Sequence, residues 1–277
     1  MTSRTITRRV RGIPTSDGAG VKLTRVIGQR ALEMLDPFLM LDEFGSDSAT
    51  DYIAGFPSHP HRGFETVTYM LDGRMRHRDN AGNEGLLESG SVQWMTAGRG
   101  IVHSEMPEQD HGLMRGFQLW VNLPAKDKMT APRYQDIAPD KIPAVEPAPG
   151  VRVRVVAGEL LGARGPVSGV ATEPVYLDVA LQPGAQAEIP IPATHNAFAY
   201  VFEGEGVQVG AETLARSELG VLSPGDSVVL VAGDKPARVL LVAGKPLNEP
   251  VAKYGPFVMN TPEQIVQAMQ DYQAGRF

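Results

Sequence analysis

Two short patterns in the chain each place two potential metal ligands two residues apart: His59-Pro60-His61 and His103-Ser104-Glu105. Side chains alternate between the two faces of a strand, so the ligands of each pair point to the same side. Two such strands lying side by side would bring all four groups to one point. Imidazole nitrogens with one carboxylate oxygen suit divalent iron, nickel, copper, manganese or zinc. The spacing therefore predicts a metal site built on a sheet.

The residues around the two patterns fit this interpretation. Pro60 has no N–H and belongs on an edge strand or at a strand end, where the mouth of a pocket could form. The turn-rich stretch at residues 96–100 precedes His103 and would let the chain re-enter a sheet. A lone H-x-H pattern is a weak signal, and it is the second pair that carries the prediction. The chain has no cysteine, which excludes disulfides, a cysteine nucleophile and a thiolate ligand.

Composition narrows the class of protein. The 277 residues are 42% hydrophobic and 21% charged, which is typical of a soluble globular protein. The net charge of -6 argues against direct nucleic-acid binding. No apolar run has membrane-spanning length and no secretory leader is evident, so we expect a cytoplasmic protein that does not bind membranes. We also expect a monomer.

Short strands separated by turns dominate the chain and predict an all-β fold. Seven segments are rich in Val, Tyr, Phe, Trp or Thr and have Gly or Pro nearby: Glu65–Leu71, Ser91–Met95, Phe117–Asn122, Val151–Val156, Val175–Leu181, Ala197–Phe202 and Val228–Val231. The alternating stretch at residues 5–10 is read as a first strand. Because no amphipathic helix alternates with the strands, a β-sandwich or barrel is favoured over α/β.

One helix is predicted, at the end of the chain. Thr261 can cap it, Pro262 suits its first position and Gln264 completes a capping box. Three apolar residues then fall on one face at helical spacing: Ile265, Met269 and Tyr272. We expect this stripe to pack against a sheet.

The sequence indicates two copies of one domain type joined by a proline-rich linker. Residues 65–73 and 197–204 are both apolar strands that end in an acidic-Gly turn, which suggests a duplication. Four prolines at residues 138–150 predict a strand-free connection. We therefore expect an N-terminal metal-binding domain at 1–137 and a C-terminal domain at 151–277 that ends in the helix.

Long motifs in the chain resemble the pirin family of the cupin superfamily. They are Phe56–Tyr69, Gln93–Pro107, Gln118–Pro124, Pro37–Glu43 and Phe257–Thr261. The resemblance implies a bicupin of two face-to-face β-barrels, each a double-stranded β-helix. It also implies one metal ion held in the N-terminal barrel by three histidines and one glutamate, which correspond to His59, His61, His103 and Glu105. The family favours Fe(II), with Ni, Cu, Mn, Co or Zn as alternatives.

The other histidines are not expected to be ligands. His195 stands where the C-terminal copy would need H-x-H, and no histidine follows it, so that copy cannot rebuild a three-histidine site. We interpret His195 as a satisfied or surface residue. His77 lies in a charged strand and is interpreted as structural or as a neighbour of a ligand. His111 is expected in a solvated loop.

Pirins with this ligand set resemble flavonol dioxygenases, enzymes of the quercetin 2,3-dioxygenase type. The implied substrates are dioxygen and an aromatic hydroxy-ketone such as quercetin, whose central ring is cleaved with loss of carbon monoxide. Glu105 could serve as metal ligand, as general base for the substrate hydroxyl, or as both. Four apolar residues are candidates for the pocket wall, although barrel core is the favoured interpretation for each of them: Phe56, Phe64, Met95 and Trp120.

A regulatory role is the alternative that the resemblance leaves open. Some pirins bind a transcription factor or a metabolic enzyme, and the iron's redox state then acts as a switch without turnover. Oxidation of iron adds one charge in a semi-buried site, which can bias a nearby loop that has two arrangements. Residues and spacing do not decide between the enzyme and the regulator.

Overall fold

The computed structural model describes residues 2–277 and consists mainly of antiparallel strands. In chain order the first strands are β1 (Ile6–Arg11), β2 (Ile13–Asp17), β3 (Val21–Ile27), β4 (Phe38–Ser46), β5 (Phe56–His61), β6 (Phe64–Asp72), β7 (Met75–Asp79), β8 (Glu84–Leu87), β9 (Val92–Thr96), β10 (Ile101–Pro107), β11 (Met114–Asn122), β12 (Arg133–Ile137) and β13 (Ala144–Ala148). The remaining strands are β14 (Val151–Ala157), β15 (Glu159–Leu160), β16 (Ala163–Arg164), β17 (Val175–Leu181), β18 (Gln186–Pro190), β19 (Asn196–Glu203), β20 (Gly206–Val209), β21 (Glu212–Ala215), β22 (Glu218–Leu222), β23 (Ser227–Ala232), β24 (Ala237–Gly244), β25 (Ala252–Tyr254) and β26 (Phe257–Met259). One α-helix, α1 (Pro262–Gln273), follows them. The predicted all-β fold with a C-terminal helix is confirmed.

The chain forms two units, and the first of them carries the candidate site. This first unit consists of Ile13–Gly28, Phe38–Pro139 and Leu247–Phe277. Its larger sheet has seven strands in the order β12-β9-β6-β11-β4-β3-β2, and its smaller sheet has four in the order β5-β10-β7-β8. Strands β25 and β26 form a separate pair. Apolar side chains of these strands form the core, and Trp94 and Phe117 are completely buried in it.

The second unit repeats the arrangement of one seven-stranded and one four-stranded sheet. It consists of Gln29–Pro37 and Asp140–Pro246 together with the N-terminal residues as far as Gly12. Its sheets have the orders β1-β22-β19-β24-β17-β14-β13 and β18-β23-β20-β21. One continuous cluster of valine, leucine, isoleucine and alanine side chains fills its interior. The matching sheet sizes agree with the duplication suggested by the sequence.

The boundaries of these units differ from the consecutive ranges expected from the sequence. Strand β1 pairs with β22, so the start of the chain belongs to the second unit. The final helix belongs to the first unit. The expectation of a strand-free linker at 138–150 is wrong, because β13 pairs with β14 and adds a strand to the second unit's sheet. Backbone pairing between segments distant in sequence decides these boundaries, and local proline content does not reveal it.

The C-terminal helix begins as the sequence predicts. The backbone N–H of Gln264 donates to Thr261 Oγ1 at 3.3 Å, and Gln264 Oε1 accepts from the Thr261 N–H at 3.2 Å, which completes the capping box. Ile265 and Ala268 are buried against Phe257 and Met259 of β26. No helix within residues 2–277 is long and apolar enough to cross a lipid bilayer.

The segment before this helix is tied to the strand that carries two of the histidines. The buried Lys128 ammonium donates to the carbonyls of Gly63 at 2.7 Å and Val258 at 3.0 Å, and to Asn122 Oδ1 at 2.7 Å. Gly63 has a φ of +88°, and a Cβ there would stand 2.0 Å from the Val258 carbonyl oxygen. Only glycine permits this approach. Strand β26 therefore lies directly beside the residues that follow His61.

Replacing Asp271 with asparagine should loosen α1. Asp271 Oδ2 accepts from the guanidinium of Arg62 at 2.7 Å, and the Arg62 side chain is only 4% exposed. Loss of the carboxylate charge would leave a buried guanidinium without its charge partner. We expect the amides of α1 to exchange hydrogen several-fold faster at pH 7, as measured by mass spectrometry. The matched control is Asp234→Asn, an exposed carboxylate in the second unit, and equal acceleration in both variants would contradict the prediction.

The same ion pair should make α1 sensitive to acid. Hydrogen bonds from Arg62, and then from Arg276 and Gln267, hold the pKa of Asp271 well below its ordinary value of 3.8. Since the folded state has the lower pKa, this stabilisation is complete above about pH 4 and is lost as the pH falls further. In Asp271→Asn this dependence should be absent.

Candidate metal centre

The two ligand patterns lie on paired neighbouring strands, as the sequence predicts. Strand β5 carries His59 and His61, β10 carries His103 and Glu105, and the two strands pair antiparallel with His103 opposite His59. Strand β5 is the edge strand of its sheet, so the missing N–H of Pro60 removes no hydrogen bond to a further strand on the outer side. The register shifts between His103 and Glu105, which places Glu105 opposite Phe56.

Three imidazole rings converge at this point. One ring nitrogen from each of His59, His61 and His103 lies within 4.8 Å of the others. The Nε2 atoms of His59 and His61 are 3.1 Å apart. Two nitrogens bound at right angles to one ion, each at about 2.1 Å, would be about 3 Å apart, so this spacing fits a shared metal. Within residues 2–277 no other group of three His, Cys, Asp or Glu side chains converges in this way.

Burial favours the neutral, metal-binding form of two of the three histidines. Burial lowers the pKa of His61 and of His103 well below the ordinary value of 6.5, and neighbouring histidines add to the effect. The Nδ1–H of His59 can donate to the Pro57 carbonyl at 2.8 Å, which leaves the Nε2 lone pair free. His103 Nε2 is buried and has no hydrogen-bond partner among residues 2–277. An orphaned buried nitrogen in a cluster of imidazoles fits a metal ligand.

A fourth histidine lies behind His103. His77 on β7 is buried, and its Nδ1 is 3.3 Å from His103 Nδ1. One of the two nitrogens must donate and the other accept, so this contact occupies the Nδ1 side of His103 and turns Nε2 toward the cluster. Burial lowers the pKa of His77 as well. This position agrees with the interpretation of His77 as a neighbour of a ligand.

Glu105 lies close to the cluster but does not belong to the converging nitrogens. It is buried, and its Oε1 accepts from Thr68 Oγ1 at 3.1 Å. It lines the same cavity as His59 and His61. The structure thus brings three of the four expected ligands together and places the fourth on the wall beside them.

A cavity of about 620 Å³ opens onto the cluster, within the usual size range of small-molecule sites. Of the four apolar residues singled out from the sequence, Phe56 and Trp120 line it. Phe64 and Met95 do not line it and are completely buried, Phe64 with its ring centroid 4.4 Å from that of Trp120. Residues that the sequence analysis missed complete the wall, among them Arg25, Met40, Asp42, Phe44, Gln118 and Lys253.

An ion pair forms part of this wall. Arg25 binds Asp42 through two hydrogen bonds of 2.9 and 2.7 Å and also contacts Asp17 at 2.8 Å. Asp42 is buried although it follows the apolar run Phe38–Leu41 on β4. A charged residue within an apolar strand was the available signal for this part of the site.

The remaining histidines lie where expected. His195 is buried, its Nε2–H can donate to the Glu173 carbonyl at 2.8 Å, and its Nδ1 lies 3.2 Å from Thr194 Oγ1. His111 is exposed beside Asp110. His195 is thus a hydrogen-bonded residue of the second unit.

Family models match both halves of the chain. The Pirin model matches residues 20–121, and the model of the Pirin C-terminal cupin domain matches residues 176–277. A pirin-like protein of Caulobacter vibrioides is 54% identical over 278 residues, covering 100% of both proteins.

Solved structures share the fold. The crystal structure of a quercetin 2,3-dioxygenase from Acinetobacter baumannii has a TM-score of 0.92 and 35% identity, covering 99% of this chain and 98% of that one. The nickel(II) complex of a bacterial pirin from Escherichia coli has a TM-score of 0.67 and 20% identity, over 86% of this chain and 98% of that one.

Proposed function

Because the chain belongs to the pirin family, we propose that it is a metal-dependent dioxygenase that cleaves the central ring of a flavonol such as quercetin. The observation that carries this proposal is the convergence of three imidazoles at a cavity with aromatic side chains in its wall. The likeness to the Acinetobacter baumannii quercetin 2,3-dioxygenase supports the choice of substrate class.

His59, His61 and His103 would hold one divalent ion, with Glu105 as the proposed fourth ligand. Imidazole donors suit iron, nickel, copper and zinc, and we propose Fe(II) as the working ion, with Ni, Cu, Mn, Co or Zn as alternatives. When bound, the ion would supply positive charge that lowers the pKa of a coordinated hydroxyl group, together with redox chemistry toward dioxygen.

The side chains of the cavity would bind the flavonol and move its proton. The Trp120 and Phe56 rings offer apolar surface against which a flat aromatic molecule can lie and from which water is excluded. Glu105 would accept the proton of the 3-hydroxyl group as general base. The Thr68 hydroxyl lies between Glu105 Oε1 at 3.1 Å and Gln118 Oε1 at 2.7 Å and can donate its one hydrogen to either, so it can orient the Glu105 carboxylate.

Turnover of quercetin tests the proposal. We expect the protein reconstituted with Fe(II) without air to consume quercetin once air is admitted, with oxygen uptake and carbon monoxide release in equal amounts. Flavonol absorbance, an oxygen electrode and carbon monoxide trapping measure the three quantities. The metal-free protein and His103→Ala are the controls. Tight metal binding without turnover would contradict the proposed dioxygenase activity and favour the alternative, a redox-responsive regulatory role.

A further inference from the structure

Lys253 stands apart from the other charged groups of the cavity because it lacks a carboxylate partner. No carboxylate within residues 2–277 lies within 4.0 Å of its ammonium group. The other cation of the wall, Arg25, is already bound by Asp42 and Asp17. Lys253 Nζ instead lies over the ring of Trp120, 5.2 Å from its centroid. A cation held only by an aromatic face can still accept an anion.

Trp120 connects this cation to the metal centre. Its ring centroid is 5.2 Å from that of His61, and the two rings meet edge to face. The same indole therefore contacts both a proposed ligand and Lys253. An aromatic molecule that lies along Trp120 would have one end at the histidines and the other end near the ammonium group.

The backbone fixes Lys253 in this place. It lies on β25 opposite Val258 of β26. The Val258 N–H donates to the Arg62 carbonyl at 3.0 Å, and its carbonyl accepts from the buried Lys128. Because Arg62 follows His61 directly, the strand pair that carries Lys253 is tied to the strand that carries the ligands. Backbone pairing therefore fixes the position from which the Lys253 side chain reaches the cavity.

The surroundings also favour an anion over a neutral group. Lys253 is exposed where it borders the cavity. Partial desolvation lowers its pKa, and the nearby Arg25 lowers it further, against the opposite effect of Asp42. A carboxylate brought to Nζ would add an attraction that offsets both costs of the charged form, desolvation and repulsion by a like charge.

We propose that Lys253 recognises a carboxylate on the end of the substrate that lies away from the metal, so that the preferred substrates are acidic aromatic hydroxy-ketones. This inference rests on the proposed function and deepens it. The hydroxy-ketone end is held at the histidines, the aromatic middle lies along Trp120, and the carboxylate pairs with the ammonium group.

Two ligands that differ only at the far end test the inference: 3-hydroxyflavone and its derivative with a carboxylate at the 4′ position of the pendant ring. Dissociation constants are measured on the metal-loaded protein from the quenching of tryptophan fluorescence. We expect the wild type to bind the carboxylate about 3- to 10-fold more tightly than the parent flavonol, a preference that shrinks as salt is added. Lys253→Met should abolish the preference, whereas Lys253→Arg should keep it.

Lys245→Met is the matched control, because it removes one positive charge from an exposed lysine that pairs with Glu173 in the second unit. It should leave the preference unchanged. If Lys253→Met weakens the binding of both ligands equally, or changes neither, the ratio of the two dissociation constants stays the same and the inference is overturned. Binding is measured without turnover, so a carboxylate preference in a protein that does not consume flavonols would refute the proposed function alone. Failure of both ligands to bind the wild type would refute both the carboxylate preference and the proposed function.

Discussion

Replacing His103 with alanine should remove most of the bound metal. His103 contributes the buried Nε2 that has no hydrogen-bond partner among residues 2–277, and its ring centroid lies 4.4 Å from that of His59 and 5.0 Å from that of His61. The loss of a direct ligand should exceed the 10- to 100-fold loss typical of residues that only orient one, so we expect metal affinity to fall by at least about 100-fold. Elemental analysis after desalting measures the effect, with close to one equivalent of metal in the wild type.

His195→Ala is the matched control for this substitution. His195 is also buried and hydrogen-bonded, but it belongs to the second unit, in whose described residues no ligand group converges. The variant should keep its metal even if it unfolds at a lower temperature, because the Glu173 carbonyl loses its donor. Loss of metal in His195→Ala, or close to two equivalents in the wild type, would contradict the assignment of one site to the first unit. Circular dichroism of metal-free wild type and variants distinguishes lost ligands from lost folding.

Replacing Glu105 with glutamine should lower flavonol turnover by about 100-fold or more at neutral pH while most of the metal affinity remains. Glutamine keeps the size of the side chain and an oxygen that can accept from Thr68, so packing should be preserved. It cannot accept the substrate proton. The three imidazoles converge without Glu105, which is why we expect them to retain the ion.

The pH dependence of turnover by the Glu105→Gln variant distinguishes the two proposed roles of Glu105, general base and metal ligand. If Glu105 acts as base, the loss of turnover should shrink at high pH, where the substrate hydroxyl ionises unaided. If it acts mainly as the anionic ligand, metal affinity should fall first and saturating metal should restore much of the rate. We expect a mixed result dominated by the base role. Full recovery with excess metal at neutral pH would refute that expectation.

Local sequence rules were sufficient for the ligand-bearing strands and for the helix. The two i, i+2 pairs predicted one-sided placement because side-chain alternation depends only on extended backbone. Thr261, Pro262 and Gln264 predicted the start of α1 because a capping box is completed within four residues. The absence of any histidine after His195 predicted that the C-terminal copy cannot rebuild a three-histidine site.

The sequence by itself thus determined the all-β class, the paired histidine strands and the capped helix, and it offered Phe56 and Trp120 as candidates for the cavity wall. Only the tertiary structure decided which distant segments share a unit, as in the pairing of β1 with β22, and which charges reach the cavity. Lys253 and Arg25 are more than two hundred residues apart in the chain, yet both line the same cavity. The register shift after His103 likewise depends on the partner strand. Alternation and capping involve neighbours along the chain, whereas sheet pairing, register and cavity walls depend on contacts between residues whose separation no local pattern encodes.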